Sequence, residues 1–167
     1  MKTIAKQLKV KDFPFRIKNK NNNEIYFEDS EGFWIKREYD SNNNQIYCKY
    51  CNSYWEKREY DSNNNEIYCE NSNGHWSKQE YDENNNEIYC ETSNGFWYKQ
   101  EFDGNNNKIY FENSDGGWEK REFDGNNNRI YFENSDGTIT DNRPKSTPEL
   151  TMEELVAKLG YEFKIKK

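Results

Sequence analysis

The sequence predicts an all-β protein: a single-layer or curved antiparallel meander of 21-residue β-hairpin repeats, followed by a short C-terminal helix and strand. Three observations carry this prediction. The first is period. Trp34, Trp55, Trp76, Trp97 and Trp118 are 21 residues apart, as are Lys36, Lys57, Lys78, Lys99 and Lys120, and Asp40, Asp61, Asp82, Asp103 and Asp124; a fixed period of this length marks a repeat architecture. The second is the content of each unit: two strand-like pieces separated by two turns. The third is composition. Hydrophobic residues are 32% of the 167 residues, against ~45–50% in an ordinary globular domain. Aromatics outnumber Ala, Val, Ile, Leu and Met together, 28 to 21. Such a chain has no close-packed aliphatic core, yet it is far too aromatic for plain disorder. No run approaches the ~18 apolar residues of a membrane-spanning helix.

The elements follow in order. Residues 1–20 form a basic arm or cap, with seven Lys/Arg against the single Asp12. Its Ile4, Leu8 and Val10 require cover from elsewhere. A degenerate half-unit, Phe13 to Asn23, leads into the array, assigned to residues 21–137. There each unit reads W-x-K-[RQ]-E-[YF]-D-x-N-N-N-x-I-Y-[CF]-[EK] and ends in a short turn, usually with Gly. In the second hairpin the strands run from about Trp34 to Tyr39 and Gln45 to Lys49. Between them Asp40 to Asn44 is turn chemistry, because Asp and Asn bond their own backbone and tolerate positive φ. The return turn, such as Asn71-Ser72-Asn73-Gly74, has Gly where a left-handed residue is needed. Six hairpins in series give roughly eleven or twelve strands. If Ser41 to Asn44 are the loop, Tyr39 opposes Ile46 and Glu38 opposes Tyr47. One face then carries Tyr60, Ile67 and Cys69 (Phe123, Ile130 and Phe132 in a later unit). The other carries Trp55, Lys57, Glu59, Tyr68 and Glu70, with Lys57 across from Glu70. Lys78–Glu91, Lys99–Glu112 and Lys120–Glu133 repeat that pairing. A one-residue slip would exchange the faces, so the constant spacing protects register.

After Gly137 the pattern stops. Residues 138–150, with Pro144 and Pro148, read as a linker. In the tail, residues 151–167, Thr151-Met152-Glu153-Glu154 is a capping box, predicting a helix from about Met152 to Leu159 closed by Gly160. Tyr161 to Lys167 alternate apolar and basic residues and form a candidate strand. Arm and tail are expected to cap the array ends, since open sheet edges invite aggregation; the alternative is that the tail docks on a partner.

The formal charge is −7. The first 20 residues sum to +6 and residues 138–167 to +1, so residues 21–137 hold −14. An acidic array repels phosphates, which argues against nucleic-acid binding, and it suits a basic protein surface through steering. No secretory signal precedes the repeats, so the four cysteines are expected to be reduced thiols in a cytosol.

The unusual residues offer little chemistry. His75 occupies a slot held by Phe33, Tyr54, Phe96 and Gly117 in other units, which is no place for a catalytic base. Acidic residues lie along a ladder instead of converging on one nucleophile, so no enzyme is expected. Cys48-Lys49-Tyr50-Cys51 is a lone C-x₂-C, and Phe replaces Cys48, Cys69 and Cys90 at equivalent positions; apolar packing explains them better than zinc. The Asp40-x-Asn42-x-Asn44 loops lack the Gly and terminal Glu of a calcium loop. No metal and no cofactor are therefore expected.

The stretch Glu80-Tyr81-Asp82-Glu83-Asn84-Asn85-Asn86-Glu87-Ile88, with Gly95 before the next unit, resembles the YD repeat of Rhs-type proteins across about residues 33–137. That resemblance implies hairpin sheets. Five units are too few to enclose a volume, so it does not imply a shell. Over nearly its whole length, from Phe13-Pro14-Phe15 through the Asn-triplet units to the closing helix, the chain is similar to uncharacterised bacteriophage-encoded repeat proteins. This likeness implies a host-cell cytosol setting and carries no catalytic residues across.

The resulting expectation is a non-enzymatic protein-interaction repeat whose binding residues are Trp55, Trp76, Trp97, Tyr68 and Tyr89, with Glu59, Glu80 and Glu101 supplying charge. Tyr and Trp offer large contact area at low entropic cost. The phage likeness points to a basic host protein as partner, such as a nucleic-acid-binding defence enzyme of the CRISPR effector kind, inhibited by competition with its phosphate ligand. Two other readings are a self-associating structural or virion component and a small-ligand, nucleotide-binding sponge.

Overall fold

The computed structural model describes residues 3–145 and 150–160. A short helix α1 (Ile4–Leu8) is followed by thirteen strands: β1 (Phe15–Lys18), β2 (Glu24–Glu28), β3 (Trp34–Tyr39), β4 (Gln45–Tyr50), β5 (Trp55–Tyr60), β6 (Glu66–Asn71), β7 (Trp76–Tyr81), β8 (Glu87–Thr92), β9 (Trp97–Phe102), β10 (Lys108–Asn113), β11 (Trp118–Phe123), β12 (Arg129–Asn134) and β13 (Ile139–Asp141). They form one antiparallel sheet in strict chain order, an open meander of hairpins as the repeat predicts. The sheet extends past both assigned boundaries. β1 falls within the segment read as the basic arm, and β13 within the stretch read as a linker. That gives thirteen strands where eleven or twelve were expected. Helix α2 (Met152–Leu159) has the predicted capping box between Thr151 and Glu154 and Gly160 at φ 72°. The predicted terminal strand, residues 161–167, lies outside the described residues.

One layer leaves little to bury. The chain exposes 12432 Å², whereas a compact monomer of 20.3 kDa exposes about 8,800 Å². Among the described residues only Ala5, Tyr26 and Cys48 are fully buried hydrophobics. The strands are held by their ladders and by neighbour contacts, as in other repeat proteins.

The first turn explains why each unit spells D-x-N-N-N. Asp40 N–H donates to the Asn44 carbonyl and Asn43 N–H to the Asp40 carbonyl (3.0 and 3.3 Å). Asp40 Oδ1 accepts the backbone N–H groups of Asn42 and Asn44, while Oδ2 accepts from Asn44 Nδ2. The middle Asn takes the left-handed conformation in every unit: Asn43, Asn64, Asn85, Asn106 and Asn127 have φ between 63° and 69°, a region Asn visits at low cost. The last Asn then reaches the next turn. Nδ2 of Asn44, Asn65, Asn86 and Asn107 donates to Oδ1 of Asn64, Asn85, Asn106 and Asn127, at 2.8–3.0 Å. An asparagine ladder thus runs from turn to turn along one rim of the sheet.

This turn corrects the predicted register near the loop. The loop is Ser41 to Asn43, one residue shorter than expected, since Asp40 opposes Asn44. Tyr39 therefore pairs with Gln45, not Ile46, while Glu38 pairs with Tyr47 as predicted. The difference is absorbed by a β-bulge at Ile46, which recurs in every D-x-N-N-N hairpin. In a bulge two residues oppose one and local alternation fails. Hence Ile46, Ile88 and Ile109 line grooves beside Tyr47, Tyr89 and Tyr110 on the Trp-bearing face, instead of joining the Tyr/Cys/Phe face. Beyond the bulge the pairings follow the prediction: Lys57–Glu70, Lys78–Glu91, Lys99–Glu112 and Lys120–Glu133 are cross-strand partners.

The left-handed turn residue separates two contributions to stability. Asn85→Val should cost about 1–2 kcal/mol through backbone strain in addition to its ladder bonds. Asn85→Gly keeps the φ and loses the side-chain bonds, costing under about 1 kcal/mol. Urea unfolding of the two variants tests the order; equal losses would show that the ladder, not the turn, dominates.

Candidate interaction face

All eight residues proposed from sequence share one face. Glu59 pairs with Tyr68, Glu80 with Tyr89, Glu70 with Trp76 and Glu91 with Trp97, and Trp55 lies two alternations from Glu59 on β5. The register joins them in slanted rows across five strands, such as Glu59–Tyr68–Lys78–Glu91–Trp97. Glu80 begins the next row and Glu101 the one after. Between neighbouring rows Tyr47 stacks on Trp55 with ring centroids 6.5 Å apart, and Lys99 Nζ sits 5.5 Å from the Trp97 ring. Lysines also bridge along their own strands, Lys57 to Glu59 at 2.9 Å and Lys78 to Glu80 at 3.2 Å. These are exposed pairs, each contributing about 0–1 kcal/mol. Shallow grooves separate the rows: one of about 470 Å³ contains Ile88, Tyr89, Lys78 and Glu101, and another of about 630 Å³ contains Ile46, Tyr47 and Glu59.

Sequence reasoning missed one constellation on this face. In the repeats the Tyr of the Ile–Tyr pair and the Glu two residues later project on the same side, and the hydroxyl donates to the carboxylate. Tyr68–Glu70, Tyr89–Glu91, Tyr110–Glu112 and Tyr131–Glu133 do so at 3.3, 3.2, 3.2 and 2.9 Å. Burial and the facing Glu push the Tyr68, Tyr89 and Tyr110 hydroxyls above their usual pKa. The Y-x-E spacing on a period-2 strand was the signal that could have revealed it.

At β2 the same pair is closed over by α1. Glu28 is only 2% exposed. Its carboxylate accepts the Tyr26 hydroxyl at 2.7 Å, the Thr3 hydroxyl at 2.6 Å and the Ala5 N–H at 3.2 Å. Burial disfavours its charge, but those three donors, with Lys6 nearby, outweigh it and hold the carboxyl below its ordinary value. Burial and Glu28 in turn push Tyr26 up to about 12. The helical turn thus caps the first hairpin and meets part of the sequence-predicted need for cover: Ala5 is buried and Ile4 and Val10 are half-buried, but Leu8 stays 62% exposed.

The opposite face is built differently. Tyr60 and Tyr39 hydroxyls reach back to the Gln45 and Glu24 carbonyls at 3.4 and 3.3 Å, and Arg58 approaches Glu66 at 3.3 Å. Cys48 is buried there; Cys69 and Cys90 are half-buried and Cys51 is exposed. Among the described residues no cluster of His, Cys, Asp or Glu is arranged to hold a metal ion, and no helix is long and apolar enough to cross a membrane.

No protein-family model matches the sequence, and no curated protein matches it. Solved structures do match in fold. The crystal structure of TcdB2-TccC3-Cdc42 superposes with a TM-score of 0.52 at 14% identity over 71% of this chain. That of TcdB2-TccC3 gives 0.51 at 9% identity over 71%. This chain spans 7% of either matched chain. Both are Rhs/YD-repeat toxin components, so the hairpin fold implied by the Tyr–Asp and Asn-turn motif is the fold observed.

The cap makes stability acid-sensitive. Glu28 has a folded pKa below its unfolded value of about 4.3, so its contribution is complete above that value and is lost as pH falls through the folded pKa. Glu28→Gln should therefore lower the urea midpoint at pH 7 and flatten its decline below about pH 5. An unchanged acid limb would show that the carboxylate does not hold the cap.

Proposed function

We propose that this protein is a non-enzymatic interaction module that binds a protein partner on its Trp-bearing face. One observation carries the reading: a single face displays Trp, Tyr, Lys and Glu in register over successive hairpins, half-exposed, with grooves between the rows. Aromatic side chains on a rigid backbone are what binding hot spots require. The repeat fold it has in common with toxin components supports an interaction role. Trp55, Trp76, Trp97, Tyr68 and Tyr89 provide contact area, while Glu59, Glu80 and Glu101 select a basic partner and steer its approach. The charge of −14 over residues 21–137 supports that choice. At a finer level we propose that the partner is a basic host protein met in a host cytosol, such as a nucleic-acid-binding defence enzyme of the CRISPR effector kind, with the acidic rows competing for its phosphate-binding surface. This finer reading rests on the resemblance to phage-encoded repeat proteins read from the sequence alone.

Affinity capture of the tagged protein from a bacterial lysate, at low and high salt, is the direct test. A specific partner retained at low salt and released at high salt is expected; no partner at either salt overturns the reading. Trp76→Ala together with Trp97→Ala should weaken capture at least about 10-fold, as loss of interface aromatics does, while neighbouring hairpins keep the sheet folded. A variant that captures as well as the native chain would exclude this face.

A further inference from the structure

The first hairpin shows what the Tyr-x-Glu pair binds. Its occupant is the chain's own segment Thr3-Ile4-Ala5-Lys6. The Thr3 hydroxyl and the Ala5 N–H donate to Glu28, and the Ile4 N–H approaches the Tyr26 hydroxyl at 3.4 Å. Ala5 is 1% exposed, so the segment needs a small residue at that position. Tyr26 stacks on Trp34 at 6.4 Å and completes the socket.

The other hairpins carry the same socket in three different states. At the far end of the sheet Tyr131–Glu133 is covered, because Arg143 lies 4.1 Å above the Tyr131 ring and reaches Glu122 at 3.1 Å. At Tyr47 the acid is replaced by Lys49, directly opposite Lys36, so that socket is inverted in charge. In between, Tyr68–Glu70–Trp76, Tyr89–Glu91–Trp97 and Tyr110–Glu112–Trp118 are open. The side chains of Glu70 and Glu112 are 35% and 34% exposed. Lys57 and Lys99 stand 3.9 and 3.8 Å from them, where the first socket has Phe15 against Glu28. Exposed pairs at that distance contribute little and yield to a hydroxyl and an amide that bond the carboxylate directly.

We propose that these three open sockets are binding sites for a polypeptide segment of the form Thr/Ser-x-Ala-Lys on a partner protein, held as Thr3 to Lys6 are held on Tyr26 and Glu28. The proposal rests on the reading of this face as a protein-binding surface and specifies what it recognises: a hydroxyl, a small residue that lets the backbone N–H reach the carboxylate, and a following cation. Neighbouring sockets are two strands apart and offset by two residues along the strand, about 12 Å in all, so a partner carrying more than one such segment gains from simultaneous engagement.

The test uses the acetylated peptide of residues 3–10 as probe, titrated calorimetrically into the full chain at low salt. Three saturable sites are expected. The Thr3→Val peptide should bind at least about 10-fold more weakly, the effect of losing a hydrogen bond to a charged group. Restoring the acid by Lys49→Glu should add a fourth site. The absence of saturable binding, equal affinity of the Thr3→Val peptide, or an unchanged site number in K49E would each overturn the proposal. The Thr3→Val readout leaves the protein untouched, and K49E replaces the like-charge pair Lys36–Lys49 by an opposite-charge pair, so neither readout depends on a destabilised chain. The two levels are separable: a lysate partner whose capture survives Glu70→Gln, Glu91→Gln and Glu112→Gln together would keep the interaction face and overturn the sockets.

Discussion

Everything in this molecule depends on the aspartate–asparagine turn. A single-layer sheet has no interior to punish a slipped strand, so register must be set locally. Each turn does this with one carboxylate and three amides. The carboxylate satisfies two backbone N–H groups, the middle Asn supplies the positive φ, and the last Asn ties the turn to its neighbour. Hydrogen bonds from Asn86, Asn107 and Asn128 hold the carboxyls of Asp82, Asp103 and Asp124 below their ordinary range, so the bonds act on the charged form. With the turn fixed, the bulge at the following Ile is fixed too, and with it the side on which every later residue falls.

That dependence separates what was legible in the sequence from what was not. The strands, the helix at 152–159 and the Trp/Lys/Glu face follow from period and alternation, which survive any local error. The Ile residues were misplaced because the loop was read one residue too long. The bulge compensates for that difference by one residue, so the cross-strand pairs beyond it came out unchanged while Ile46 moved to the other side. Counting residues cannot distinguish a longer loop from a shorter loop plus a bulge; the αL position at the middle Asn and the Asp40–Asn44 pairing decide it. α1 was unreadable for a different reason. Five residues carry little periodicity, and the helix exists because Glu28 and Tyr26 supply partners to its first N–H groups and hydroxyl.

The two faces divide the work. On the Tyr/Cys/Phe side, tyrosines and arginines reach back toward earlier strands, and the ring contacts Phe27–Phe33, Phe33–Tyr50 and Tyr50–Tyr54, at 6.4, 6.4 and 5.7 Å, run across several of them. These contacts link hairpins. On the Trp side most polar contacts stay within a strand or between immediate neighbours, leaving Trp and Tyr half-exposed. A surface meant only for solubility would expose its charges and bury its rings. Here the rings remain half-exposed in the same rows as the charges, the composition that the proposed binding role calls for.

Repetition makes the departures from consensus informative. If the units served stability alone, each would be equivalent except where the edges need protection. The ends do differ as edge protection requires: α1 covers the first hairpin, and a three-residue strand with Arg143 covers the last. Lys49 has no such reason. It sits inside the array and faces Lys36 directly, a like-charge pair that costs stability where Glu in that slot would gain it. A residue that opposes the stability of its own sheet at one hairpin, while the other five keep the acid, is not explained by the fold; on the proposed reading it answers to what the face meets. It divides the recognition rows into one basic position followed by three acidic ones, and so gives an otherwise uniform array a direction along which a partner can be aligned.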